Sequence, residues 1–281
     1  MSCRQGKQSK GTVEHRRRLR EFTGGMTADP FSGPTAAVPS VHDHRAGPRP
    51  DLRRSGTRGP LRVILGGLAI APSLGIRGWY AGLFVNLLCC LFAAGLVTYY
   101  GLWARIGITR LRASPAATLF VLALLLEALA WILPAGLDVT PPGAGLWALT
   151  LLLVGFNEEL VSRGVVLERL SRSYEAVPAV VLTGVLFGLQ HLSLFATTDR
   201  GTYDILTNVL LSGIVGFAMA AFQHRFHWIL PLILVHALAD FTAIHAKEPH
   251  GDVFAAATAV VFLAFGVLAL RSPLRGGASH P

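Results

Sequence analysis

Charge is scarce in this sequence. Only 15% of its 281 residues are Asp, Glu, Lys or Arg, and 16 are acidic, while 52% are hydrophobic. Soluble domains carry about a quarter of their residues as charged side chains, so this composition excludes an ordinary soluble fold. Cysteine is nearly absent too. Cys3, Cys89 and Cys90 contain no C-x-x-C pair, which excludes a disulfide framework and a thiolate zinc site. The first 60 residues hold no apolar run, so no cleavable signal peptide is expected. No internal repeat is visible, and nothing in the chain resembles a folded nucleic-acid reader, so nucleic acid is not an expected partner.

What is present is apolar length. Several segments approach the roughly 20 apolar residues that span a bilayer: about 79–102, 116–137, 144–170, 177–197, 205–223, 228–245 and 253–270, with a shorter one at Leu61–Ile76 interrupted by Gly66, Gly67 and Pro72. Residues 1–60 are different. They hold 12 of the 25 Lys and Arg against five acids, are rich in Gly, Pro and Ser, and read as a disordered basic tail beside anionic lipid. Met26 offers a second start for a shorter chain.

Charge in the connections sets an orientation. If Leu61–Ile76 crosses, then the tail, Arg105, Arg110, Arg112, Arg169, Arg172, Arg225, Arg271 and Arg275 share one side. Arg77, Arg200 and Lys247 take the other. That distribution follows the positive-inside rule. It predicts an all-α polytopic membrane protein of about eight transmembrane helices: a cytosolic tail at 1–60, a helical domain at 61–272 and a short cytosolic tail at 273–281.

The chemistry concentrates at Gly155-Phe156-Asn157-Glu158-Glu159-Leu160-Val161-Ser162-Arg163-Gly164. A charge at mid-membrane costs about 2.5–3.5 kcal/mol, so two carboxylates and an arginine here point to a polar bundle interior and a functional site. Glu159 and Arg163 are four apart, on one helix face, with Glu N-terminal. Glu158 is turned about 100° from Glu159 and is free to point elsewhere. Phe187 and His191 are four apart on a later segment, and His236 and Asp240 on another. Counted at 1.5 Å per residue, Glu158 and His236 fall in the cytosolic half, whereas His191 falls nearer the far side if its helix starts at 177.

Glu158-Glu159-x-x-x-Arg163, Phe187-x-x-x-His191 and His236-x-x-x-Asp240, in that order within apolar segments, resemble the CPBP family of intramembrane proteases. That family includes CaaX-box endopeptidases and bacterial Abi-like relatives labelled bacteriocin-processing or self-immunity proteins. The resemblance covers roughly residues 120–245. It implies a CaaX-protease-like bundle with its site inside the membrane, Glu158 activating water with help from His191, His236 and Asp240 polarising the scissile carbonyl or holding the oxyanion, and Glu159 and Arg163 in support. Many members carry Asn where this chain has Asp240; Asp keeps the acceptor oxygen and loses the amide donor.

Two accounts of the chemistry stay open. Glu158, His191 and His236 could form a two-His-one-carboxylate set around one divalent metal such as zinc. They could equally act without metal, which is slightly favoured, since the H-E-x-x-H pattern is absent. The expected partners are the lipid bilayer and a membrane-associated peptide or protein substrate, and the expected location is a bacterial plasma membrane with both termini cytosolic. A non-catalytic immunity or scaffold protein of the same fold is the alternative, and a proton-coupled transporter is the weakest reading. Glu127 is expected to line the cavity or snorkel, Asn157 to bond across helices, and His224, His227, His245 and His250 to lie at the surface or in loops.

Overall fold

The computed structural model describes residues 58–110, 114–133, 135–248 and 250–271, all within one compact unit, Pro50–Pro281. The tails expected at 1–60 and 273–281 lie, apart from the last residues of the first, outside the described residues. Among the described residues the long elements are all helices: α1 Arg58–Ile70, α2 Trp79–Tyr99, α3 Pro115–Ala130, α4 Ala144–Leu170, α5 Ala176–Thr197, α6 Thr202–Phe226, α7 Ile229–His245 and α8 Asp252–Arg271.

Helix is what a membrane demands of an apolar chain, because it satisfies its backbone polar groups internally. The outer surface agrees. Leu91, Leu119, Leu126, Leu210 and Val260 are each more than 60% exposed, a surface that hydrocarbon solvates and water does not. Five helices (α2, α4, α5, α6 and α8) are long and apolar enough to cross a membrane. The other three segments expected to cross are apolar but shorter. At 13, 16 and 17 residues, α1, α3 and α7 reach about 20, 24 and 26 Å, against a hydrocarbon core of about 30 Å. The reason is local: α1 passes into a 3-10 turn carrying Pro72, and α3 ends in a turn at Trp131–Leu133.

Sequence determines several of the ends. Ser114 caps α3, its side chain accepting from the Ala117 amide at 3.2 Å, with Pro115 in the first turn, where its missing N–H costs nothing. Buried amide groups tie neighbours together. Gln223 Nε2 donates to the Ile106 carbonyl at 3.1 Å while its Oε1 accepts from the Trp228 amide at 3.1 Å. The Thr242 hydroxyl donates to the Ala128 carbonyl at 2.6 Å, joining α7 to α3.

Helix α7 lies against α4 and α3, α5 against α6, and α2 against α1 and α4. Small residues set how closely they approach. A Cβ on Gly155 would lie 2.7 Å from the Ile233 carbonyl oxygen and 3.2 Å from the Ala237 amide nitrogen. A Cβ on Gly188 would meet the Val209 carbonyl at 2.6 Å. The first contact bears on the site, because Glu158 is one turn beyond Gly155 and His236 lies between Ile233 and Ala237. Gly155→Val is therefore expected to force α4 and α7 apart, costing about 1–3 kcal/mol as overpacking does. Thermal unfolding in detergent checks it: a lowered midpoint is expected for Gly155→Val and an unchanged one for Gly82→Val, where nothing lies within 4 Å of the added carbon.

Candidate functional site

Helix α4 changes its winding where the acidic pair ends. It is α-helical to Glu159, turns as a π-helix over Leu160–Val166, and returns to α-helix at Leu167. A π segment leaves side chains at angles a regular helix does not reach, and such segments are frequent at functional sites. Arg163 lies within it and turns back toward Glu159. Its Nη1 donates to Glu159 Oε1 at 2.9 Å, and both side chains are completely buried. The guanidinium also covers the Phe187 ring, 4.0 Å from its centroid, and Nη2 lies 3.7 Å from Met219 Sδ.

Glu159 holds a second partner on α7. His236 Nδ1 lies 2.8 Å from the same Oε1, so the nitrogen that faces a carboxylate carries the proton and donates. That leaves Nε2 pointing the other way, 3.8 Å from Glu158 Oε2 and 3.6 Å from Asp240 Oδ2. His236 thus sits between the buried carboxylate of Glu159 and two partly exposed ones. The three side chains are 12%, 26% and 36% exposed for His236, Glu158 and Asp240 respectively, which places the reactive face at an opening and the arginine pair behind it.

The end of α5 closes the other side. Gln190 Nε2 donates to Glu158 Oε2 at 3.2 Å. At His191 the α-helix tightens into a 3-10 turn, His191–Ser193, and His191 Nδ1 lies 3.0 Å from the Phe187 carbonyl oxygen. Because a carbonyl only accepts, Nδ1 carries the proton and Nε2 is left as an acceptor. Phe187 stacks edge-on with both histidines, its centroid 5.3 Å from His191 and 5.9 Å from His236.

His191 is therefore level with Glu158, and the mismatch in depth expected from counting does not arise. Helices α4 and α5 run antiparallel from the turn at Ser171–Glu175. Twelve residues separate Glu158 from the end of α4 at Leu170, and fourteen separate Ala176 from Gln190, giving about 18 and 21 Å from that turn. Measured from their common turn, the residues meet; measured within each span, they do not.

The structure brings together Glu158, Glu159, Arg163, His236 and Asp240 by direct contact, and His191 adjoins them across the Phe187 ring, which lies edge-on to both histidines. Two participants went unassigned in the sequence: Gln190, which holds Glu158, and Phe187 as the platform for Arg163. Gln190 stands beside His191, and an amide next to a motif histidine on an apolar helix was the available signal. The metal set of Glu158, His191 and His236 is not matched by the arrangement. Among the described residues no three His, Cys, Asp or Glu side chains are grouped to hold a metal ion, so no step below depends on one.

Elsewhere the expectations divide. Asn157 bonds chiefly within its own helix, Nδ2 to the Leu153 carbonyl at 2.8 Å, and reaches Asn86 Oδ1 on α2 only at 3.5 Å. Glu127 accepts from the Trp131 indole N–H at 2.8 Å. His227 is exposed, beside Glu168. His245 is not a loop residue: it ends α7, is 2% exposed, and lies edge-on to Trp147 and Phe241, each 5.0 Å away. His250 stacks on Phe254 at 4.0 Å and bonds to the Ala130 carbonyl. His250 stays in the connection before α8, as expected, and is half-buried, whereas Trp147, brought in from α4, helps make His245 interior.

Comparison with known proteins agrees with the motifs. Residues 140–242 match the family model described as Type II CAAX prenyl endopeptidase Rce1-like, a segment that contains every site residue named above. No curated protein and no solved structure matches. The matched segment is thus similar to an Rce1-like domain, consistent with the CPBP protease type, and the long elements among the described residues are the helices of an integral membrane protein. The family so matched is one of CAAX prenyl endopeptidases.

Proposed function

We propose that the chain is an intramembrane endopeptidase that hydrolyses a peptide bond of a membrane-associated peptide or protein with water activated by Glu158. The observation that carries this is the orientation of His236. One carboxylate, Glu159, fixes its Nδ1, so that Nε2 is presented to a second carboxylate, Glu158, which is held on one oxygen by Gln190. This is the base–orienter arrangement that hydrolytic sites require.

The steps follow from the donor and acceptor inventory. Glu158 takes a proton from water as the water oxygen attacks the scissile carbonyl carbon. The carbonyl oxygen becomes an oxyanion, stabilised by Nε2–H of His236 in its protonated form; in a dry bundle such a preorganised donor is worth far more than in water. Glu158 then passes its proton to the leaving amine. His191, with Nδ1 committed to Phe187, offers Nε2 to accept from the water and position it. Asp240, when ionised, only accepts, so it balances the charge of protonated His236, 3.6 Å away, and leaves Nε2–H to the oxyanion. Glu159 and Arg163 act behind the reacting groups.

We place the protein in a bacterial plasma membrane with both termini cytosolic and the segments α1, α3 and α7 completing eight crossings, on the strength of the arginine distribution. The protease domain then runs over 61–272. The deciding experiment compares protein N-termini by quantitative mass spectrometry in cells carrying wild type or Glu158→Gln at equal levels. Cleavage products confined to wild type are expected, and they name the substrate. Identical N-termini with a phenotype still rescued by the variant would replace the peptidase reading with a binding or immunity role.

A further inference from the structure

A groove of about 780 Å³ runs along the seam between α2 and α4, outside the cluster just described. Its walls are Leu83, Phe84 and Leu87 from α2 and Leu149 and Leu153 from α4, and Arg77 lies at its mouth. The walls are open to the lipid side, with Leu87 48% and Leu149 46% exposed. Arg77 is exposed in the short connection before α2 and makes no ion pair or hydrogen bond with any described residue. Helix α2 begins at Trp79 with no side-chain cap and no acid in its first turn, so nothing there neutralises the cation.

An apolar channel with one free guanidinium at its end selects a molecule of the same build: a hydrocarbon chain with an anion at one end. A small water-soluble anion gains nothing from leucine walls. A zwitterionic lipid brings its own cation to the arginine and loses part of the attraction. Basic pockets beside transmembrane helices recognise acidic headgroups by this means, and arginine fits a phosphodiester because its planar fork donates two parallel hydrogen bonds. We propose that the groove is a binding site for an acidic glycerophospholipid, one acyl chain lying between α2 and α4 and the phosphodiester held by Arg77.

The deep end lies near the reaction site. Leu153 presents its carbonyl oxygen to the Asn157 amide at 2.8 Å and to the Cys90 thiol at 3.1 Å, so the chain ends about one helical turn before Glu158 on α4. The site does not depend on the peptidase reading and is tested without a substrate.

Native mass spectrometry of the full chain, purified in detergent and stripped of lipid, provides the test. The protein is titrated with dioleoyl phosphatidylglycerol or with dioleoyl phosphatidylcholine, which has the same chains. Wild type is expected to retain phosphatidylglycerol several-fold better than phosphatidylcholine. Arg77→Gln should reduce that preference, while Leu87→Trp, which fills the groove, should reduce retention of both lipids. Leu149→Trp narrows the groove from the opposite wall and serves if Leu87→Trp fails to fold. A headgroup preference unchanged in Arg77→Gln would assign it to the other basic residues of the chain and overturn the proposal. So would retention unchanged in a folded groove-filling variant.

Discussion

Glu158→Gln is expected to reduce peptide-bond hydrolysis by about 10²–10⁴-fold, the usual contribution of a positioned general base, and to leave the fold in place. Gln is nearly isosteric and keeps an oxygen that accepts from Gln190. It removes only the capacity to take a proton from water and return it to the leaving amine. The side chain is 26% exposed, so exchanging a carboxylate for an amide strands no charge in the core. Two readouts separate the roles: turnover of the substrate identified by its new N-terminus, and the thermal midpoint in detergent. Turnover should collapse while the midpoint stays within a few degrees. Retention of full turnover would remove Glu158 from the mechanism.

The reverse pattern is expected one turn further along α4. Arg163→Met should destabilise the protein by about 3–5 kcal/mol, because breaking a buried pair leaves an uncompensated charge behind. Here the group left behind is Glu159, fully buried, which keeps His236 Nδ1 on Oε1 but loses its arginine and has Oε2 already lacking a hydrogen-bond partner. The contact of the guanidinium with the Phe187 ring is lost as well. A fall of the thermal midpoint on the order of 10 °C corresponds to that loss. The double variant Glu159→Met, Arg163→Met removes both charges and should recover much of the stability, since replacing a buried pair by apolar residues of similar size is often neutral. It should not recover turnover, because His236 Nδ1 then has no acceptor and the ring no fixed orientation. A double variant as unstable as the single one would show that the pair contributes through more than charge balance.

These two substitutions separate groups that are neighbours in sequence, and the separation was partly legible there. The 100° step between Glu158 and Glu159 implied different directions, and the two meet opposite nitrogens of His236; the four-residue interval to Arg163 implied an ion pair, which is 2.9 Å long. The interval from His236 to Asp240 was equally legible, and the contact is 3.6 Å. Helical periodicity is a local property, so contacts within one helix follow from spacing. The contact of His236 with Glu159 was not legible, since it depends on how α7 rotates and slides against α4. That register is set by the absence of a side chain at Gly155, where the Ile233 carbonyl fits against bare backbone.

By itself the sequence determined the solvent. Its scarcity of charge and its apolar segments required helices in lipid, and the cost of charge in hydrocarbon singled out Glu158, His191, His236 and Asp240 as candidate site residues. It also located the boundaries of most helices. Tertiary structure alone decided which groups share a partner: Glu159 serves both Arg163 and His236, Gln190 rather than a histidine bonds to Glu158, and Phe187 supports the guanidinium. It alone decided that α4 unwinds into a π turn at Leu160 and that His245 is interior. Each of these depends on atoms from different helices meeting at distances of a few ångströms, and a one-dimensional pattern carries no information on the offset between two helices that lie side by side.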